Sequence, residues 1–428
     1  MGNNNVLRTV NSFIIAIIIS SGFIARMIAA LGGLEEGIVP ALFIFALLVS
    51  FITIILTKDR IKIEKNSMIF LYFIILIFLL SFLFRGFDSY ASIYFIEFVF
   101  YGIITFLLSL LKFSPSQVIY FTMLIGNIIL INPIAFLDYV SRGYTYDYVS
   151  MDAVYAILPC IAATIIYFIF LKKKGNILVN ILSLLSNSYL LYLVMFEGSR
   201  GAVFAVGFLF VMIFYILISN KIKINFGIGS VYSFLIAILF MVLTIVITNI
   251  QNALLWIDKL LLSLDIEIAA ITKTINMIER GGVLGILNAR DMLYERGYEL
   301  FKESPVFGHG IGAYADLYYG TYPHNLFLHL LIEGGIIFTI PFILLLTIIL
   351  WFLIKPWAKA DILYEKRLFI LFLFIISIPR LTFSSYLWRE QAFWLLLFFL
   401  FSFLSKQKEK PNIINFTKEK NRAITTNS

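Results

Sequence analysis

The chain has 428 residues, of which 61% are hydrophobic and only 14% are charged. Soluble domains average roughly 45–50% apolar and about 25% charged residues, so the composition excludes a soluble globular protein. An outer-membrane barrel is excluded as well, because its strands alternate apolar and polar residues instead of forming long apolar runs. With a single cysteine, Cys160, the chain has no intrachain disulfide. The sequence is therefore that of a polytopic helical membrane protein.

Twelve apolar runs are close to the length of about 20 residues that a helix needs to cross a bilayer. They fall at about 9–30, 37–57, 67–85, 90–111, 117–136, 152–171, 176–196, 201–219, 229–249, 334–354, 368–387 and 390–405. The first run lacks a clear small-residue cleavage site, so we interpret it as an uncleaved span and not as a signal peptide.

Lysine-rich segments alternate with these runs, and the positive-inside rule places such segments in the cytoplasm. Threading the runs in order predicts nine spans in 1–249, a large periplasmic loop at 250–333, three spans in 334–405 and a basic cytoplasmic tail at 406–428. The net charge of +8 thus reflects topology and gives no indication of a nucleic-acid partner.

The 250–333 loop is the longest polar stretch of the protein. Its first part, up to about residue 279, has apolar residues at helical spacing but is too charged to span, which predicts a helix at the membrane surface. A second short helix is expected over about 288–303. Pro305, three glycines and a Tyr-rich segment then lead into the tenth span.

The chain has three histidines, His309, His324 and His329, and all of them lie in one 21-residue stretch of this loop. Histidine has an unperturbed pKa near neutrality, which suits proton transfer. The structural alternative is that they are interfacial side chains above a membrane helix. We expect no metal and no cofactor, because His324 and His329 are five residues apart and no cysteine or acidic cluster completes a ligand set.

Arginine dominates over lysine in the polar segments that the threading places outside the cytoplasm. A guanidinium binds phosphate oxygens bidentately and stays charged when partly desolvated. Arg200 is the sharpest case, since a tight turn places its charge close to the membrane face; the alternative is a snorkelling arginine paired with Glu197. Arg26, Glu97 and Arg380 lie within or near the ends of spans, and we expect them to form structural pairs or to line a cavity.

Two segments resemble the signature of the bacterial O-antigen polymerase and ligase superfamily. In NARDMLYERGYELFKESPVFGHGIGAYADLYYGTYPHNLFLHLLIEGGIIFTIPF (288–342), an arginine opens a short helix, a Pro-x-x-Gly-x-Gly loop follows, and His-Asn begins a helix that reaches Glu-x-Gly. The EGSRGA turn resembles the family's Ser-Arg-Gly at the start of a span. The resemblance implies an all-α fold of GT-C-like architecture, and a metal-independent glycosyltransferase whose donor is a glycan on undecaprenyl diphosphate.

By motif position, the resemblance assigns the catalytic roles to Arg200, Arg290 and His324. The two arginines would stabilise the departing diphosphate, and His324 would remove the proton of the acceptor hydroxyl in an inverting displacement. The residues expected to contact substrate are Arg142, Arg296, Tyr322, Asn325 and Glu333.

Within this superfamily we favour an O-antigen polymerase of the bacterial inner membrane. The short spacing from Arg290 to His324 and the PHNLFLHLLIEGG segment resemble polymerases more than ligases. The partners of the polymerase would be lipid-linked oligosaccharides, membrane lipids, a chain-length regulator and a flippase. An O-antigen ligase, a protein O-glycosyltransferase and a capsule polymerase stay open as alternatives. A lipid-linked oligosaccharide flippase is the alternative from another class, but it would place ionisable residues inside its spans.

Overall fold

The computed structural model describes residues 2–33, 37–57, 63–87, 89–141, 151–171, 176–196, 199–221, 254–266, 268–281, 290–355, 357 and 363–404. Within these ranges every regular element is a helix. The helices of the first half are α1 (Gly2–Ile19), α2 (Ser21–Ala30), α3 (Ile38–Thr57), α4 (Lys65–Arg85), α5 (Tyr90–Ser109), α6 (Pro115–Ile131), α7 (Pro133–Ser141), α8 (Met151–Leu171), α9 (Ile177–Phe196) and α10 (Arg200–Lys221). Those of the second half are α11 (254–262), α12 (Ala269–Gly281), α13 (Arg290–Glu303), α14 (Ala313–Leu317), α15 (Leu326–Ile354), α16 (Tyr364–Phe383) and α17 (Gln391–Leu404).

The protein is a multi-pass membrane protein. Within the described residues, seven helices are long and apolar enough to cross a bilayer, namely α3, α4, α5, α8, α9, α10 and α15, and the bent pairs α1–α2 and α6–α7 raise the count to nine. Helix α16 coincides with the predicted span 368–387, and the shorter α17 with the span 390–405. The predicted span 229–249 lies outside the described residues, so the total of twelve spans and the GT-C-like architecture stay predictions.

Two predicted spans are bent in the structure. The first bends by 65° between α1 and α2, and the fifth bends by 90° between α6 and α7. The second bend follows from Asn132 and Pro133, since a proline disfavours helical geometry at the residue before it. The Asn132 side chain then accepts a hydrogen bond from Ala135 N–H at 3.0 Å and caps the new helix.

The core lies around α8 and α16, which are buried on nearly all sides. Helices that are apolar all round belong in the interior of a bundle. Tyr155 on α8 is thereby buried, and Arg380 near the end of α16 is half-buried.

The helices of the predicted loop 250–333 are interrupted more often than the spacing of its apolar residues indicated. The expected surface helix is divided into α11 and α12, with Asp265 between them at φ +56°. The predicted tenth span begins earlier, at Leu326, and is interrupted by the non-helical backbone of Gly335. Residues 326–333 are thus part of α15, and the short helix expected at about 288–303 is α13.

Candidate active site

The Pro305–Gly312 loop is shaped by three glycines in the left-handed region, Gly308, Gly310 and Gly312, where residues with a Cβ are strained. A Cβ on Gly308 would come within 2.6 Å of the backbone of Glu333 and Gly334. His309 N–H donates to the carbonyl of Ile332 at 2.8 Å, and Gly310 N–H donates to that of Glu333 at 2.9 Å. The glycines therefore let the loop lie directly on the first turns of α15.

Glu333 fixes this arrangement from inside the protein. Its Oε1 accepts from Gly312 N–H at 2.8 Å and lies 2.9 Å from Nε2 of His329, while its Oε2 accepts from the indole N–H of Trp388 at 2.9 Å. The side chain is 2% exposed. Each of these partners is a protein group, so the structure gives Glu333 an anchoring position, and its predicted contact with substrate stays untested.

The three histidines take different roles in the structure. His329 is buried beside Glu333. His309 donates from its ring to the carbonyl of Leu300 at 2.6 Å and so ties the glycine loop to α13. Only His324 is left with a buried ring nitrogen, Nδ1, that has no hydrogen-bond partner.

His324 stands at φ +51°, an uncommon conformation for a residue other than glycine and one that is enriched at functional sites. The next residue, Asn325, caps α15 by accepting from the N–H groups of Phe327 and Leu328 at 3.0 and 3.2 Å. The imidazole packs on Tyr322 with ring centroids 4.1 Å apart, and the Tyr322 hydroxyl donates to the carbonyl of Ser384 at 2.8 Å. The cap and the ring contact hold His324 in place at the start of α15.

The pKa of His324 is lowered to about 4, first by burial and then by the positive charge of Arg290, while the negative charge of Asp152 acts in the opposite direction. A neutral imidazole at physiological pH is the form that accepts a proton.

Arg290 is the first residue of α13 and is positioned by the packing of this helix on α15. A Cβ on Gly297 would come within 3.0 Å of the side chains of Leu328 and Ile332, so the glycine permits the close approach of the two helices. The hydroxyl of Tyr314 donates to the carbonyl of Leu293 at 3.0 Å, which adds a second tie. The charge of Arg290 then acts on both His324 and Tyr322.

Arg200 is likewise the first residue of its helix, α10. A Cβ on the next residue, Gly201, would overlap the hydroxyl of Tyr155 and come within 3.0 Å of Phe383. The glycine of the Ser-Arg-Gly motif therefore lets α10 begin directly against the core helices α8 and α16. Arg200 and Arg290 come close enough there for their charges to interact, and Arg290 also acts on Tyr155.

An arginine at a helix N-terminus opposes the helix dipole, whose positive end lies there. A cation at this position is unfavourable by about 0.3–1 kcal/mol, whereas an anion is favoured. Here two helices begin with arginine, and the positive charge of Arg290 acts on Arg200. Two positive charges at helix N-termini favour an anion between them, and the phosphate-binding role proposed below starts from this arrangement.

The remaining predicted substrate residues lie apart from this pair or outside the described residues. Arg296 is exposed on α13, with its guanidinium 5.0 Å from the ring centroid of Tyr318. Arg142 and Glu197 fall outside the described residues, so neither the predicted substrate contact of Arg142 nor the alternative Arg200–Glu197 pair is addressed by the structure.

Several residues around the site lie outside the two sequence motifs. Arg85, at the end of α4, forms a 2.8 Å ion pair with Asp316 and donates to the carbonyl of His309 at 3.1 Å, which anchors the glycine loop from the other side. Glu390 forms an ion pair with Arg380. Arg85 and the segment 384–390 (SSYLWRE), which contains Glu390, carry no spacing that could connect them to their partners, because those partners are distant along the chain or belong to another helix.

The expectation for the ionisable residues near the spans is confirmed. Glu97 accepts a hydrogen bond from the Tyr386 hydroxyl at 2.7 Å, Arg380 pairs with Glu390, and Arg26 and Arg380 line one cavity. Among the described residues no group of three or more His, Cys, Asp and Glu side chains is arranged to hold a metal ion. The expectation of metal-independent chemistry stays a prediction.

Taken with the fold, the site defines a multi-pass membrane protein that gathers two arginines and a neutral histidine at the ends of its helices. Residues 185–343, which contain all three of these side chains, match the family model described as O-antigen ligase. This match supports a similarity of the stretch to the O-antigen polymerase and ligase superfamily, whose members are glycosyltransferase-like enzymes. No curated protein matches the chain significantly.

Proposed function

We propose that the protein is an O-antigen polymerase, which transfers the growing glycan from undecaprenyl diphosphate to the next lipid-linked repeat unit. The observation that carries this proposal is the convergence of Arg200, Arg290 and His324. Two of them favour a phosphate-bearing group at helix N-termini, and the third is a neutral histidine beside them. A lipid diphosphate is a leaving group of that charge, and a sugar hydroxyl is a nucleophile that must lose a proton.

In the proposed reaction an oxygen of the acceptor sugar attacks the anomeric carbon of the donor from the side opposite the diphosphate. The bond between that carbon and the phosphate oxygen breaks, and the bonding electrons leave with the lipid diphosphate. Arg200 and Arg290 stabilise the negative charge that develops on its oxygens. The hydroxyl proton passes to the neutral imidazole of His324, and the configuration at the anomeric carbon inverts.

Binding of the diphosphate also prepares the base. Part of the lowering of the His324 pKa comes from Arg290, so a bound anion that compensates this positive charge raises the pKa. The imidazole therefore becomes a stronger base when the donor is in place. This coupling links the two halves of the site, since the base is strongest when the leaving group is held.

We also propose that the site faces the periplasm, which is supported by the positions of charged residues at the ends of individual helices. Arg85 ends α4, which begins at Lys65, and Arg200 begins α10, which ends at Lys221. His324 precedes α15, which Lys355 follows. In all three cases the site residue and the lysine lie at opposite ends of a span, so the positive-inside rule favours a site on the periplasmic face of the inner membrane.

O-antigen ligase is the second candidate, because that description belongs to the matching family model. A ligase uses the same donor and transfers the polymer to the lipid A core, so the arginine and histidine chemistry is common to both. The polymerase is favoured by the short spacing from Arg290 to His324 and by the PHNLFLHLLIEGG segment.

A lipopolysaccharide gel of the host with this gene deleted separates the candidates. A polymerase deletion is expected to leave core that carries one repeat unit and no ladder, and the wild-type gene restores the ladder. Bare core with polymer retained on undecaprenyl diphosphate would instead identify a ligase. An unchanged ladder would refute both, and would direct attention to capsule or protein glycosylation.

A further inference from the structure

A small polar cavity lies beside the candidate active site, in the interior of the bundle. It has a volume of about 40 Å³ and is lined by residues of α1, α2, α8 and α16 and by the start of α17. Its polar lining consists of Arg26, Tyr155, Arg380, Glu390 and Gln391. Ionisable groups inside a membrane protein are energetically costly, and they commonly mark the path or binding place of a substrate.

The ion pair in this cavity is incompletely satisfied by the protein. Nη1 of Arg380 lies 3.4 Å from Oε2 of Glu390, which is longer than the roughly 2.7–2.9 Å of a charge-assisted hydrogen bond. Both Nε of Arg380 and Oε2 of Glu390 are buried without a hydrogen bond, and Glu390 is only 2% exposed. Buried polar atoms nearly always have partners, so a polar group that enters the cavity can complete this pair.

The cavity adjoins the catalytic residues through its own lining. The guanidinium of Arg380 lies 5.9 Å from the ring centroid of Tyr155, and its charge also acts on Tyr322, the ring that packs on His324. Tyr155 in turn lies within reach of the charge of Arg290. Arg380 and Tyr155 therefore connect the cavity to the candidate active site.

The chemistry of the lining selects a neutral group that both donates and accepts hydrogen bonds. A hydroxyl donates to Glu390 and accepts from Arg380 at the same time, whereas a phosphate would meet the carboxylate of Glu390 at close range. A buried water occupies about 10–15 Å³ on this measure, so the cavity has room for the hydroxyl-bearing edge of one ring but not for a whole disaccharide.

We propose that this cavity is a sugar subsite that binds ring hydroxyls of the glycan next to the reacting carbon or the reacting oxygen. The inference rests on the proposed glycosyl transfer, and it adds a place where one sugar of the donor or of the acceptor is recognised. Arg380, Glu390 and Gln391 supply the hydrogen bonds, separately from the arginine pair that faces the diphosphate.

Two variants test the subsite, one by removing a polar group and one by filling space. Gln391→Leu replaces the amide with an apolar side chain, and Gly22→Leu adds a side chain to the cavity lining from α2. A Cβ on Gly22 would lie 3.4 Å from Cβ of Ala156 and 3.5 Å from Nη1 of Arg26, which are ordinary contacts, and Gly22 itself lines the cavity. Gly207→Leu on α10 is the matched control, because a Cβ there meets nothing within 4 Å.

The test uses the purified full-length protein in detergent, with a polymer on undecaprenyl diphosphate as donor and a fluorescent lipid-linked repeat unit as acceptor. Each substrate is varied in turn. For Gln391→Leu and Gly22→Leu, KM for one substrate is expected to rise about tenfold with kcat within about twofold, as when one hydrogen-bonding site for a ground-state contact is lost. The control is expected to match the wild type.

The substrate whose KM rises shows whether the subsite holds the acceptor sugar or the donor sugar. Unchanged KM values for both substrates, in variants whose thermal unfolding matches the wild type, would overturn the subsite and leave the cavity with water only. Should Gly22→Leu fail to fold, Gln391→Leu decides alone. A wild-type protein that forms no product would instead refute the proposed function, so the two failures are distinct.

Discussion

The titration of His324 is expected to depend on Arg290, and the size of the effect follows from the structure. Burial and the charge of Arg290 lower the pKa of His324 to about 4. At pH 5.5 a group with that pKa is only about 3% protonated, whereas a histidine with the usual pKa of about 6.5 is about 90% protonated. In Arg290→Gln the charge is removed but the burial is kept, so the pKa is expected to rise while staying below 6.5.

This prediction can be measured by NMR on the purified protein with ¹³C-labelled histidine, because the chain has only three histidines. His324→Gln identifies the signal of interest, and the signals of His309 and His329 serve as internal references. The wild-type signal is expected to show the neutral form down to about pH 5, and the midpoint is expected to move upward in Arg290→Gln. A wild-type midpoint near 6.5, or a downward movement in the variant, would refute the assignment of His324 as a neutral base beside Arg290.

Three further variants test how the site is held. Gly201→Ala is expected to lower activity at least tenfold, because its Cβ would overlap the Tyr155 hydroxyl and displace the start of α10. Gly207→Ala is the control, because a Cβ there meets nothing within 4 Å. Equal activity of the two variants would contradict the close contact. Asn325→Ala removes the cap of α15 and should lower the free energy of unfolding by about 1 kcal/mol, measured in detergent by chemical denaturation. Glu333→Gln is expected to destabilise by about 1–3 kcal/mol, since a neutral amide cannot serve all three of its partners; a fully stable Glu333→Gln that only raises KM would favour a substrate contact instead.

Much of the topology was predictable because long apolar runs have few alternatives in a membrane. The run 37–57 became α3, and the run 67–85 became α4, nearly at the expected bounds. The bends between α1 and α2 and between α6 and α7 were not predicted, since a hydropathy pattern reports length and polarity but not direction. Pro133 was a visible local signal for the second bend, whereas the first lacks a proline.

The candidate catalytic residues could be proposed from sequence because they lie within two motifs. What the motifs could not show is how their parts meet: the contact of Gly201 with Tyr155 joins segments distant along the chain, and that of Gly297 with Leu328 joins two helices of one motif. The histidine cluster illustrates the same limit. Three histidines within 21 residues look equivalent in sequence, but His309 and His329 are bonded within the protein and only His324 retains an unpartnered buried nitrogen.

The central claim is that two arginines at helix N-termini hold a lipid diphosphate while His324 accepts the acceptor proton. The most direct measurement is single-turnover glycan transfer by the purified protein from a lipid-diphosphate donor, comparing wild type with Arg200→Lys, Arg290→Lys and His324→Gln at equal folding. The account predicts product from the wild type, and rates lower by about a hundredfold or more in all three variants, because lysine cannot reproduce the bidentate fork and glutamine cannot accept the proton. Wild-type rates in His324→Gln, or in both lysine variants, would contradict it.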